Sequence, residues 1–158
     1  MAATRKGLPL DADSRKASAD QLQGFLYNLI ALRLDVQQVH WNIQGSRFYG
    51  VHTMLGTFYE ALNAEVDEIA ERILALGQPA DGRPDKVAER TVVPAAKEGF
   101  VTVDEGLRHL LTQYAAFDTA SEDVRAAMED LDAVTHDMIV HVLEVSQKQQ
   151  WMIRSHLT

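Results

Sequence analysis

Two histidines and two carboxylates fall within one stretch in the first half of the chain: His40, His52, Asp67 and Glu71. Imidazole nitrogens with carboxylate oxygens make a ligand set suited to iron and, less selectively, to zinc or manganese. From His40 to Arg72 the chain reads HWNIQGSRFYGVHTMLGTFYEALNAEVDEIAER. His40 and Trp41 end one stretch of helical apolar periodicity. After a Gly45-Ser46 break, His52 stands near the start of a second, and Asp67 and Glu71 near its end. The two acids are like charges at i, i+4, unfavourable on a bare helix by ~0.2–0.5 kcal/mol, and a bound cation reverses that sign. Glu65 and Glu68 point elsewhere, to solvent or to Arg72. Trp41 and Trp151 are expected in the core, and Trp41, beside His40, is placed to intercept oxidising equivalents.

The spacing decides what kind of site this is. Fifteen residues separate His52 from Asp67, roughly 22 Å along a helix at ~1.5 Å per residue. One metal with bonds near ~2 Å is not shared over that distance. Yet fifteen steps of ~100° return to within about 60° of the starting direction, so both ends serve one side of the helix. A second copy of the helix, antiparallel across a two-fold axis near residues 60 to 62, brings His52 of one chain to Asp67 and Glu71 of the other. His40 joins His52 if the turn folds the first helix back. A di-iron centre inside one bundle would instead call for Glu-x-x-His motifs. None of the six histidines has a glutamate three residues before it.

The elements that must position these residues are helices. Ser18-Ala-Asp-Gln21 has the form of a capping box, and apolar residues from Leu22 to Val36 then recur with helical spacing up to His40. This predicts a polar tail over 1–17 and a bundle domain over 18–158. A second helix is expected from about Tyr49 to Leu76, closed by Gly77. Residues 77–101 hold three of the four prolines and read as a long crossover with a short helix around Asp85 to Arg90. Thr102-Val-Asp-Glu105 opens a third helix to about Met128, and Asp132 caps a fourth that runs to His156. No segment reads as a strand. The expectation is an all-α, antiparallel four-helix bundle of ferritin-like connectivity, with its long crossover between helices 2 and 3.

Composition sets wider bounds. The 158 residues suffice for one domain with a sizeable core. No apolar run approaches a membrane span, and the first residues lack the apolar core of a signal peptide, so the cytoplasm is the expected compartment. Without cysteine there are no disulfides and no thiolate ligands. The formal net charge of −8 disfavours nucleic acid and attracts cations. The tail runs against that balance, with Arg5, Lys6, Arg15 and Lys16 facing only Asp11 and Asp13.

HWNIQG, a second histidine twelve residues after the first, and the DEIAER run together resemble the Dps miniferritins, ferritin-like proteins of bacteria and archaea. VTHDM and QQWMIRSHL, further on, extend the resemblance along most of the chain. It implies a four-helix bundle assembled as a hollow dodecamer. It also implies ferrous iron oxidised at inter-subunit two-fold sites, with hydrogen peroxide preferred to dioxygen, as protection against oxidative damage. His40, His52, Asp67 and Glu71 would be the ligands, and Asp132 and Asp137, near VTHDM, would guide iron inward at three-fold channels. Twelve basic tails could hold DNA and place the shell on the nucleoid. The rival readings are a DNA-covering shell or a binder of another metal such as zinc, with weak or absent ferroxidase activity, and a small metal-binding bundle with no cage. One position departs from the family pattern. Its members carry an aspartate four residues after the second histidine, where this chain has Gly56. Such a glycine admits water, lets Glu60 lean towards the metal, or allows close helix packing at the two-fold.

Overall fold

A computed structural model describes residues 10–158. Four long helices form the bundle: α1 (Ala12–Asn42), α2 (Phe48–Ala75), α4 (Val103–Met128) and α5 (Ala133–His156). A short α3 (Pro84–Arg90) sits in the crossover between α2 and α4. Among the described residues no helix is long and apolar enough to cross a membrane.

The helix ends follow the chemistry of their caps, with one correction. α1 starts at Ala12, six residues before Ser18, because the Asp11 carboxylate accepts from the Ser14 amide at 2.8 Å. An acceptor at the N-cap satisfies an otherwise orphaned donor, so Asp11 takes the position predicted for Ser18. Ser18 itself is buried inside the helix. Residues 12–17 therefore belong to the bundle. Arg15 donates to the Leu10 carbonyl and Lys16 pairs with Asp20, while Arg5 and Lys6 lie outside the described residues. α2 closes on Gly77, whose φ of 90° lets Gln78 donate back to Ile73 and Gly77 to Leu74, the paired bonds of a Schellman end. At the start of α4, Thr102 and Glu105 form the capping box.

A second correction concerns strands. Ile43–Gln44 and Val101–Thr102 pair in parallel, Ile43 opposite Val101. Two-residue strands carry too little alternation to be read from sequence. This pairing ties the α1–α2 turn to the start of α4, where Gly106 comes so close that an added Cβ would stand 2.9 Å from Val39. The turn that joins the two histidine-bearing helices is thereby clamped from a third element.

One core runs the length of the bundle. Leu22, Leu29, Leu32 and Val36 of α1 meet Leu55, Leu62, Ile69 and Ile73 of α2, with Leu107, Leu110 and Phe117 of α4 and Ile139, Val142 and Ile153 of α5. Phe25 packs on Phe117 with ring centroids 5.3 Å apart. Burial on this scale is worth about 1.5–3 kcal/mol per large apolar side chain, which is what holds α1 against α2. Neither tryptophan joins the core: Trp41 is 61% and Trp151 60% exposed.

Candidate metal centre

The two histidines predicted to ligate a metal meet where α1 ends and α2 begins. Their rings stack with centroids 3.8 Å apart and planes 17° from parallel. Each ring also reaches the other residue's backbone: His40 Nδ1 lies 2.7 Å from the His52 carbonyl, and His52 Nδ1 2.9 Å from the His40 carbonyl. A carbonyl only accepts, so both Nδ1 atoms carry the proton and donate it. The His40 carbonyl lies in the last turn of α1, where acceptors lack intrahelical partners, and His52 supplies one. In the neutral rings the lone pair then sits on Nε2, free of these bonds. That is the arrangement by which a second ring nitrogen, tied to an acceptor, fixes the tautomer of a metal-binding histidine. Burial pushes the His40 imidazole below its usual pKa; the bond to the His52 carbonyl and the charge of Glu60 work the other way. That direction favours the neutral imidazole that ligation demands.

Two more rings frame the pair. Phe48 stacks on His52 at 4.9 Å, and Tyr59 stands at 71° to His40 with centroids 5.2 Å apart. Neither was singled out in the sequence, although Phe48, His52 and Tyr59, spaced by four and seven residues, share one face of α2. Gly56 lies against the same ring, its missing Cβ position 3.4 Å from His40 Cε1. The two histidines, Gly56 and Tyr59 thus form one contact group.

The carboxylates do not join it. Asp67 and Glu71 are exposed, more than three turns further along α2, and Glu60 is exposed between the two ends. Among the described residues of one chain, no group of three or more His, Asp or Glu converges as a metal site. The chain by itself offers a histidine pair at one end of α2 and an acidic pair at the other.

The remaining candidates fall into place elsewhere. Arg72 pairs not with Glu65 or Glu68 but with Asp132, donating to both its oxygens at 2.9 and 3.0 Å, and to Thr135 Oγ1 at 3.0 Å. Asp132 is 4% exposed and caps α5 through the Thr135 amide. Burial opposes its ionisation, but hydrogen bonds from Thr135 and Arg72 outweigh it and hold the carboxyl below its usual pKa. With its oxygens so occupied, Asp132 ties α5 to α2 and does not present a carboxylate to passing ions. Asp137 is exposed on α5. His141, one turn on, lies 3.3 Å from Glu65 across to α2.

A ferritin-like domain family model matches residues 19–158. The DNA protection during starvation protein of Mycolicibacterium smegmatis is 35% identical over 149 residues, covering 90% of this chain and 79% of that protein. DNA protection during starvation protein 2 of Deinococcus radiodurans is 30% identical over 142 residues, and the match spans only 59% of that relative's length. Among solved structures, Mycobacterium smegmatis Dps in its tetragonal form aligns with a TM-score of 0.91 at 31% identity, covering 95% of this chain and 92% of that one. Dps from Microbacterium arborescens in a high iron form aligns with a TM-score of 0.88 at 26% identity, covering 96% and 99%. Fold, capped helix order and sequence agree, and the chain belongs to the Dps family of ferritin-like proteins.

Proposed function

We propose that this protein is an iron-oxidising, iron-storing miniferritin. Fe(II) is its substrate, bound at two equivalent sites per two-fold dimer by His40 and His52 of one subunit with Asp67 and Glu71 of the other. The observation that carries this reading is the stacked histidine pair. Both Nδ1 atoms are spent on backbone carbonyls, and both Nε2 atoms are left as lone-pair donors. The acidic pair on the same helix is beyond reach within the chain and within reach of an antiparallel copy. Hard carboxylate oxygens favour the ferric state. Two ferrous ions give one electron each to hydrogen peroxide, its O–O bond breaks to oxygen at the level of water, and hydrolysis of the ferric ions releases protons. The ferric product is stored as oxide inside a closed shell, taken here as a dodecamer. The high iron form of the Microbacterium relative supports an iron cargo.

Anaerobic mixing of Fe(II), peroxide and protein should develop ferric absorbance that stays with the protein through gel filtration. The double variant His52→Ala/Asp67→Ala should lose most of the rate, and an unchanged rate would overturn the assignment. A DNA role for the basic tail rests on Arg5 and Lys6, since Arg15 and Lys16 are engaged within α1 and its cap. Gel-shift assays with and without the first nine residues test it.

A further inference from the structure

We infer that Tyr59 is a positioning residue for the metal-binding face of His40, acting through its ring and not its hydroxyl. The inference rests on the reading of His40 as a ligand and names what holds it. An imidazole aims its Nε2 lone pair only if both of its side-chain torsions are fixed. His40 lies on α1, yet the aromatic and hydrogen-bond contacts of its ring come from α2: the His52 ring on one face at 3.8 Å, the His52 carbonyl on Nδ1 at 2.7 Å, and Tyr59 near-perpendicular at 71°. Gly56 leaves the Cε1 side of the ring without a side-chain wall, since the place of its absent Cβ is 3.4 Å away. Tyr59, one turn beyond Gly56 on α2, is the aromatic side chain that packs near-perpendicular to His40, its ring centroid 5.2 Å away. Its hydroxyl makes no hydrogen bond within the chain among the described residues, whereas a tilted aromatic contact needs only the ring. Such a contact is worth about a factor of three to ten in an equilibrium constant. Loss of the groups that orient a metal-binding histidine typically weakens metal affinity by 10–100-fold.

The test compares Tyr59→Leu with Tyr59→Phe, using Co(II) as an oxidation-inert probe and gel filtration to verify assembly. Tyr59→Met replaces the leucine variant should leucine disturb packing. Anaerobic titration should show Co(II) affinity reduced roughly tenfold in Tyr59→Leu and restored to within about twofold of the parent in Tyr59→Phe. A metal-free readout accompanies it: solid-state NMR of protein labelled with 15N-histidine, with the His40 signals identified by His40→Ala. The Nδ1-protonated tautomer of His40 should dominate in the parent and in Tyr59→Phe, and should mix with the Nε2-protonated form in Tyr59→Leu. Parent-like behaviour of Tyr59→Leu in both readouts overturns the inference, and so does equal loss in the phenylalanine variant, which would assign the effect to the hydroxyl. If Co(II) binding by the parent is indifferent to His40→Ala, the ligand reading fails. The tautomer readout still decides whether Tyr59 positions the ring.

Discussion

Gly56 is where this chain parts from the pattern it otherwise resembles, and the structure gives the departure a physical setting. A side chain there is sterically admissible. The added Cβ would meet His40 Cε1 at 3.4 Å and Nδ1 at 3.7 Å, ordinary van der Waals contact. A carboxylate at this position would lie beside the histidine pair, one turn from His52. Gly56→Asp should therefore tighten divalent-metal binding, and it should raise helix stability by up to about 0.5 kcal/mol through propensity alone. Anaerobic calorimetry with Co(II) should count more tightly bound ions per dimer in the variant than in the parent; equal counts and affinities would show that the site does not lack this ligand. Glu60, whose charge already acts on His40, is the alternative acid. Glu60→Gln slows oxidation as Asp67→Asn does only if Glu60 has taken over the role.

Between elements, the crossover is held on α1 by a row of polar side chains. Gln23 exchanges hydrogen bonds with the Asp81 backbone, Asn28 accepts from Thr91 and Val92, and Asp35 accepts from the Ala96 amide and from Gln113 of α4. Gln113 also donates to the Pro94 carbonyl at 2.6 Å. Asp35 is the titratable member. Burial pushes its carboxyl up to about 6, against the hydrogen bonds from Ala96 and Gln113. Below the unfolded pKa of about 3.9 both states are protonated. Between that value and about 6 the folded chain keeps a proton that the unfolded chain releases, so stability falls as pH rises through this window. The partial solvent access of Asp35 screens the effect, leaving on the order of 1–2 kcal/mol. Asp35→Asn removes the titration. From pH 4 to pH 7 the melting temperature of the parent should drop relative to the variant, and parallel curves would show that Asp35 titrates normally.

At the scale of the assembly, the proposed site makes a prediction that no single-chain site shares. Subunits carrying His52→Ala and subunits carrying Asp67→Ala are each inactive as homodimers. In a mixed dimer one site receives both lesions and the other receives none. Random co-assembly at equal ratio should thus restore about a quarter of the sites, read as recovered peroxide-dependent Fe(II) oxidation. No recovery in verified mixed assemblies would overturn the shared-site assignment.

Much of this architecture is legible in the linear chain because it follows from local rules. Thr102 with Glu105, Asp132 and Gly77 set helix ends close to where their cap chemistry places them, and the leucine periodicity of α1 marks its buried side. Asp11, not Ser18, is the first cap: its carboxylate accepts from the Ser14 amide, and Ser18 is buried within the helix. The reach of α2 also follows from sequence, as helix rise is a constant: histidines and acids on one helix, too far apart for one ion. Tertiary structure alone decided the rest. That His40 and His52 each donate from Nδ1 to the other's backbone carbonyl, that Tyr59 and Phe48 frame them, and that Asp132 is spent on Arg72 all depend on how one helix is rotated and shifted against the next. That register is set by the whole core at once, through many weak contacts between residues distant in sequence, and no local pattern encodes it.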